Sequence, residues 1–259
     1  MLLPKKVFIF WYLILVAGSI LVSMYRSMKM GKLPKIRKIA GLDAIEEAIG
    51  RATEMGRPVH FCPGIGGITE IDAAQTFAAL ALLGHIARLT AKFDVQLIVT
   101  IRTPEVLPLA EETVTQAYVA EGKMDSFNAD DIRFLSSQQF AYAAAVFGMI
   151  MREKPAANFL LGAFWAESLM LAEVGSFVGA IQIAGTAQLS QVPFFVASCD
   201  YTLIGEELFT GAAYISQNPA QLGSIRGQDI GKAASIILIV LGVVLRLAGN
   251  KFLEDLMKL

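Results

Sequence analysis

Residues 7–25 contain no charged side chain. As an α-helix these nineteen residues rise about 28 Å, close to the hydrocarbon thickness of a bilayer, so the chain must either cross a membrane there or lose the segment as a signal peptide. Lys5, Lys6 and the small residues Ala17, Gly18 and Ser19 have the outline of a cleavable signal. The apolar run continues past that cleavage site, which favours a retained anchor. Trp11 and Tyr12 near one end and Tyr25 at the other match the headgroup preference of amphipathic rings. Arg26, Lys29, Lys32, Lys35, Arg37 and Lys38 follow the run, against Lys5 and Lys6 before it. The positive-inside rule then places the chain in the cell membrane with its main domain in the cytoplasm. The same cations set topology and can also attract anionic headgroups, at about 1 kcal/mol each.

A second apolar stretch, residues 233–250, has one charge, Arg246, close enough to an end to snorkel. It reads as a second transmembrane helix, with a buried core helix or an inter-subunit helix as alternatives. The organisation that follows is an anchor over 1–30, a basic juxtamembrane linker over 31–41, an α/β domain over 42–216, a polar loop over 217–232, the second membrane helix over 233–250 and a tail over 251–259.

Between the ends, short apolar segments alternate with helical ones. Strands are expected at 59–62, 95–100, 131–136, 157–163, 177–184 and 193–198, and helices at 70–91, 104–120, 138–152 and up to 174. Short strands separated by helices of this length are the mark of βαβ units, which cross over right-handed and bury a parallel sheet on both faces. The expected fold is therefore α/β, a Rossmann-like layered domain with about six mainly parallel strands. The rival reading, a polytopic bundle, takes 140–151, 158–184 and 192–215 as membrane spans. Glu167, Glu173, Asp200, Glu206, Glu207 and the Gly and Pro punctuation break those runs into pieces too short to cross.

Composition narrows function by exclusion. A net charge of −1 leaves no basic field for nonspecific nucleic-acid binding. Cys62 and Cys199, far apart in sequence, read as free thiols of a reducing compartment, with a single bridge as the alternative, and the two histidines, His60 and His85, fit no H-E-x-x-H or C-x-x-C spacing. No metal and no cofactor are expected. Hydrophobic residues make up 55% of the chain and charged ones only 17%. Such a surface suits helices covered by lipid or by sister subunits, so the expected partners are the bilayer, further copies of the chain and other membrane proteins.

In open parallel sheets ligands bind beyond the carboxyl ends of the strands. The segments following the expected strands contribute Gly64, Gly66, Gly67 and Thr69, then Arg102, Ser136, Ser137, Thr186 and Asp200. The glycines can expose backbone N–H groups to an anion, and Thr69 with Asp72 resembles a capping box. The spacing matches neither a dinucleotide fingerprint nor a P-loop, so a plain strand-to-helix turn is the competing reading. His60 and Cys62, two apart on a strand, face the same side and form a candidate reactive pair, with burial as the ordinary alternative. No catalytic residue is assigned.

Pro58, Val59, His60, Phe61, Cys62, Pro63, Gly64, Ile65 and Gly66, together with the stretch from Ala213 through Asn218 and Pro219 to Asp229, resemble segments of an uncharacterised prokaryotic membrane-protein family. The resemblance implies membrane association and carries no activity, cofactor or site residue. The expected function is a membrane-anchored α/β module that self-assembles as a scaffold or ligand-binding component of a larger complex. The alternatives are a membrane-bound enzyme acting on a phosphorylated or nucleotide-like ligand, and a polytopic transporter or channel component.

Overall fold

The computed structural model describes residues 7–30 and 39–249. In chain order the elements are α1 (Val7–Met30), α2 (Ala40–Met55), β1 (Val59–Gly64), α3 (Ala73–Phe93), β2 (Leu97–Ile101), α4 (Leu107–Ala120), β3 (Ile132–Phe134), α5 (Gln139–Glu153), β4 (Ala157–Ala163), α6 (Ser168–Phe177), β5 (Ile181–Thr186), α7 (Val192–Ser198), β6 (Tyr201–Ile204), α8 (Glu207–Ser216) and α9 (Pro219–Leu247). They form two units, one of the terminal segments Met1–Ile36 and Gln217–Leu259, the other Arg37–Ser216. Lys5, Lys6, the cations at 32, 35, 37 and 38, linker residues 31–38 and the tail 251–259 lie outside the described residues.

The second unit is a six-stranded sheet of order β3-β2-β1-β4-β5-β6, parallel throughout. The chain winds outward from β1 to β3, returns to the middle at β4 and winds outward again to β6. The order therefore reverses between β1 and β4, which makes that pair the topological switch point. Apolar clusters fill both faces. One packs α2, α3 and α4 with Phe61, Val99, Phe159 and Ile183, and the other packs α5, α6 and α7 with Cys62, Ile98, Leu160 and Ala184. Successive strand residues point to opposite faces, so a strand buried on both reads as a continuous apolar run.

The helices covering the sheet are amphipathic. In α2, Leu42, Ile45, Ala48, Ile49 and Ala52 are buried at helical spacing while Asp43, Glu46 and Glu47 face outward. Gly56, at φ 60°, ends that helix in the left-handed conformation, and its N–H donates to the Thr53 carbonyl.

Two expectations are corrected. Residues 193–198 belong to α7, a helix with Pro193 in its first turn; the sixth strand is β6, which begins after it at Tyr201. A short apolar run has no periodicity that separates strand from helix, and here Phe195 alone is buried. Residues 217–232 are not a loop. Asn218 caps α9, its Oδ1 accepting from the Ala220 and Gln221 N–H groups, and Pro219 occupies the first turn. Asn-Pro is a turn signal and equally a helix start, because an N-cap leaves its own backbone extended and Pro lacks only an N–H that the first turn does not use. The apolar stretches that the rival reading took as extra spans fold, as their charges and breaks imply, into helices of at most fifteen residues in the layered unit.

In the terminal unit α1 and α9, of 24 and 29 residues, are about 36 and 43 Å long, and both are long and apolar enough to cross a membrane. In α9, Ile236, Ile237, Ile239, Val240, Val243 and Val244 are each more than half exposed. A soluble protein's core helix would bury them, so α1 and α9 are candidate membrane spans.

The two helices pack antiparallel along glycines spaced four apart. A Cβ on Gly223 would strike the Met24 backbone, one on Gly227 would overlap Ile20 Cα, and one on Gly231 would touch Val16. This is small-residue packing, in which missing side chains let backbones approach closely enough for direct bonds. Ser19 Oγ donates to the Gly227 carbonyl at 3.1 Å, and Tyr12 OH to that of Gly231 at 3.1 Å and pairs with Ser235.

Candidate functional site

At the switch point the backbones of β1 and β4 stay in contact to their ends. Cys62 pairs with Leu160, but Gly64 pairs with Ala163, so β4 gains one residue in a bulge. Gly162 sits in that bulge at φ 144° and Gly64 at φ 82°. A Cβ on the first would overlap the Pro63 carbonyl, and one on the second the backbone of Ala163. Ile65 N–H then donates to the Ala163 carbonyl at 2.8 Å. The crevice that binds ligands in doubly wound sheets is here bridged by main chain.

The glycine turn beyond it is occupied by the chain itself. Gly66 lies against Ala163 and the Thr76 hydroxyl, where a Cβ would come within 3.0 Å of Oγ1. Gly67 lies against the Glu105 carboxylate, and Ile68 N–H donates to Glu105 Oε1 at 3.3 Å. A carboxylate therefore stands where an anion would. Arg102 Nη1 donates to the Ile65 carbonyl and Nε to that of Ser137, both at 2.9 Å, which ties this turn to the one after β3. Ser136 Oγ accepts from the Gln138 N–H at 3.1 Å. Thr69 is exposed, and α3 begins at Ala73 with no side-chain cap, so the capping box does not form. Asp72 Oδ1 instead accepts from Gln75 and Gln188, while Gln75 Oε1 accepts from Ala187 N–H and Thr186 Oγ1. That network joins the start of α3 to the end of β5.

Gly64, Gly66, Gly67, Arg102, Ser136, Ser137 and Thr186 thus gather at the carboxyl edge of the sheet. Asp200 does not. It precedes β6, at the amino edge, and its Oδ2 accepts from the Gln182 N–H at 2.7 Å. Its place among the ligand-binding candidates followed from reading 193–198 as a strand, and is corrected with it.

His60 and Cys62 are both fully buried. They belong to a row of polar side chains crossing β2, β1, β4 and β5, in which His60, Asn158 and Gln182 are in register. Gln182 Nε2 donates to the carbonyls of Ala172 and Ser198, both at 2.8 Å, which leaves Oε1 to accept from Asn158 Nδ2 at 2.8 Å. Asn158 Oδ1 then accepts from His60 Nδ1 at 2.7 Å, and in the neutral imidazole His60 Nε2 accepts from Thr100 Oγ1 at 2.9 Å. Tyr142 OH closes the row against Thr100 and Cys62 Sγ, both at 3.0 Å.

This direction of bonding requires a neutral imidazole. Burial supplies it, lowering the His60 pKa to about 4 against a weaker upward pull from Asn158. Burial also pushes the Cys62 thiol up to about 12. An ion pair of thiolate and imidazolium needs both groups moved the other way. The two residues are linked through Thr100 and Tyr142, in a site closed to solvent.

Several participants escape single-residue reasoning, among them Asn158, Gln182, Thr100, Tyr142, Gln75 and Glu105. Glu167 is fully buried, accepting from the Trp165 N–H at 3.0 Å and from Gln139 Nε2 at 2.5 Å. One available signal was the recurrence of a polar second residue in three apolar strands: His60 after Val59, Asn158 after Ala157, Gln182 after Ile181. Among the described residues no group of three or more His, Cys, Asp or Glu could hold a metal ion. Two cavities of this unit, about 150 and 250 Å³, lie elsewhere, the first around Gln96 and Asp131 at the amino edge, the second around His85 and Arg88.

Over residues 2–257 the chain matches the model of a family described as a domain of unknown function (DUF6754). It belongs to that family. No curated protein and no solved structure matches it. The family accordingly brings no substrate or cofactor to these residues, and the reading of the site rests on its geometry.

Proposed function

We propose that the chain is a membrane-anchored, non-enzymatic α/β module, facing the cytoplasm, that self-assembles and serves as a scaffold within a larger membrane complex. The observation that carries this is the outer surface of α5 and α6. Phe140, Ala141, Ala144 and Phe147 follow one another along the exposed side of α5, and Met170 and Phe177 along that of α6, with Phe140 61% and Phe177 78% exposed. Large rings alternating with alanines on one stripe are self-complementary: two copies related by a twofold axis can seat each ring over the other's small residues. Membrane tethering supports the reading, since confinement raises the effective concentration of sister copies. The positive-inside excess around Arg26 and Lys29 supports the orientation.

Light scattering and native mass spectrometry on the full-length protein in detergent test the proposal. The wild type is expected to be oligomeric and the Phe140→Ser, Phe147→Ser variant monomeric with unchanged circular dichroism. A wild type that is monomeric both in detergent and when cross-linked in a bilayer refutes it.

A second reading, binding of a phosphorylated or nucleotide-like ligand at the carboxyl edge, is favoured by one observation. Thr76 Oγ1 beneath Gly66 is fully buried and has no hydrogen-bond partner. Thermal shifts with nucleotides or phosphate that vanish on Arg102→Gln would support it, and their absence from the wild type would remove it.

A further inference from the structure

Along one flank of the α1–α9 pair the helices leave a groove of about 630 Å³. Each helix contributes one arginine to it, Arg26 and Arg226, and Ser23, Ser27, Val22 and Ile230 are among the other residues that line it. The described ion pairs join other residues, and Asp229, the nearest acid in sequence, is held by Lys232 at 3.5 Å. Two guanidinium groups therefore share a groove with no carboxylate to neutralise them among the described residues. Ser23 and Ser27 line the same groove, where their hydroxyls can donate to a ligand that accepts hydrogen bonds.

The depth of the groove narrows the ligand further. Arg226 lies between the Gly223–Met24 and Gly227–Ile20 contacts, opposite residue 21 of α1, so the groove runs from the charged end of α1 at Arg26 about one and a half turns inward to Arg226. The apolar body of α9 begins only after Lys232. The groove thus opens at the headgroup boundary if the terminal helices span, while Val22 and Ile230, each about half exposed, line it with hydrocarbon.

We propose that this groove binds the phosphate of an anionic phospholipid. Arg26 and Arg226 clamp its oxygens as planar bidentate donors, Ser23 and Ser27 donate to the same group, and Val22 and Ile230 lie along the glycerol and acyl carbons. The inference rests on membrane insertion of α1 and α9 and is independent of self-assembly. A free phosphate presents the same oxyanion without the apolar portion, and the test separates the two.

Full-length protein in nanodiscs of phosphatidylcholine, with or without phosphatidylglycerol, is released into mild detergent and its bound lipid read by native mass spectrometry. The wild type is expected to retain phosphatidylglycerol selectively. Arg26→Gln and Arg226→Gln should each weaken retention about fivefold, the equivalent of roughly 1 kcal/mol per cation, and Lys29→Gln, outside the groove, should weaken it less than either. Equal retention by the double variant and the wild type overturns the proposal, as does a loss with Lys29→Gln as large as with the arginines, which would mean diffuse surface attraction. Displacement of the lipid by inorganic phosphate overturns the lipid assignment. Extraction of the protein from native membranes by alkaline carbonate would instead overturn membrane insertion itself, a result distinguishable from a failure of the groove alone.

Discussion

The polar row across the sheet makes the stability of the α/β unit depend on pH in one direction, and His60 sets the size of the effect. In the unfolded chain its imidazole has the ordinary value of 6.5, and in the fold burial holds it near 4. Between those values the unfolded state binds a proton that the folded state does not, so stability rises with pH through the window and is lost as pH falls from 6.5 toward 4. The complete shift corresponds to about 3 kcal/mol, of which about 2 kcal/mol is already lost at pH 5. Protonation is opposed by burial of the ring away from water, which outweighs the upward pull of the Asn158 bond.

The assay is chemical denaturation of the full-length protein in detergent, followed by near-ultraviolet circular dichroism at several pH values from 5 to 7.5. His60→Gln keeps one donor and one acceptor but cannot titrate. Its absolute stability will fall, since its amide is not shaped to both partners, while the wild-type slope over this window should largely disappear. His85, whose pKa is also lowered by burial and by Arg88, contributes a slope of the same sign, so both proteins are compared in a His85→Gln background. Identical slopes with histidine and glutamine at position 60 would refute the neutral, hydrogen-bonded imidazole.

Gly162→Ala drives a Cβ into the Pro63 carbonyl at a positive φ, and with both clashing atoms fixed by the sheet it should destabilise by about 3 kcal/mol or more; an unchanged Tm would refute this. Gly50→Ala is the contrasting case, an interior position of α2 with nothing within 4 Å of a new Cβ, where a stabilisation of about 0.5–1 kcal/mol is expected. Gly227→Leu should force α9 away from Ile20, so that cross-linking of cysteines introduced at Tyr12 and Ser235 falls sharply relative to the parent pair. Burial pushes both free thiols up to about 12, with Asp200 adding to the effect at Cys199, so iodoacetamide at neutral pH should alkylate each far more slowly than a free thiol and reach Cys62 only on unfolding.

The segments most legible in the sequence were those whose surroundings are uniform. Residues 7–25 carry no charge and form a candidate membrane span on hydropathy alone, and β2 and β4, apolar on both faces except for Thr100 and Asn158, read as strands of a covered parallel sheet. Local signals misled where one pattern serves two structures. Asn218 with Pro219 starts α9 instead of making a turn, and the apolar run at 193–198 is helical. Gly223, Gly227 and Gly231 were legible as a four-residue repeat, but they lie in a stretch read as a loop, where a helical period has no meaning.

Hydropathy and residue spacing alone thus determined the two candidate membrane helices and the layered α/β class, because exposure of an apolar surface or its burial between helix layers acts on each segment separately. The order of the strands, the switch point between β1 and β4 and the identity of what fills it were decided only in three dimensions. Gly64 and Gly162 are separated by ninety-eight residues, and each is glycine because of the other strand's backbone. Likewise His60, Asn158 and Gln182 look in isolation like ligands or surface residues. They become a closed hydrogen-bonded row because parallel register sets them side by side, and no local pattern records a pairing between segments so far apart in the chain.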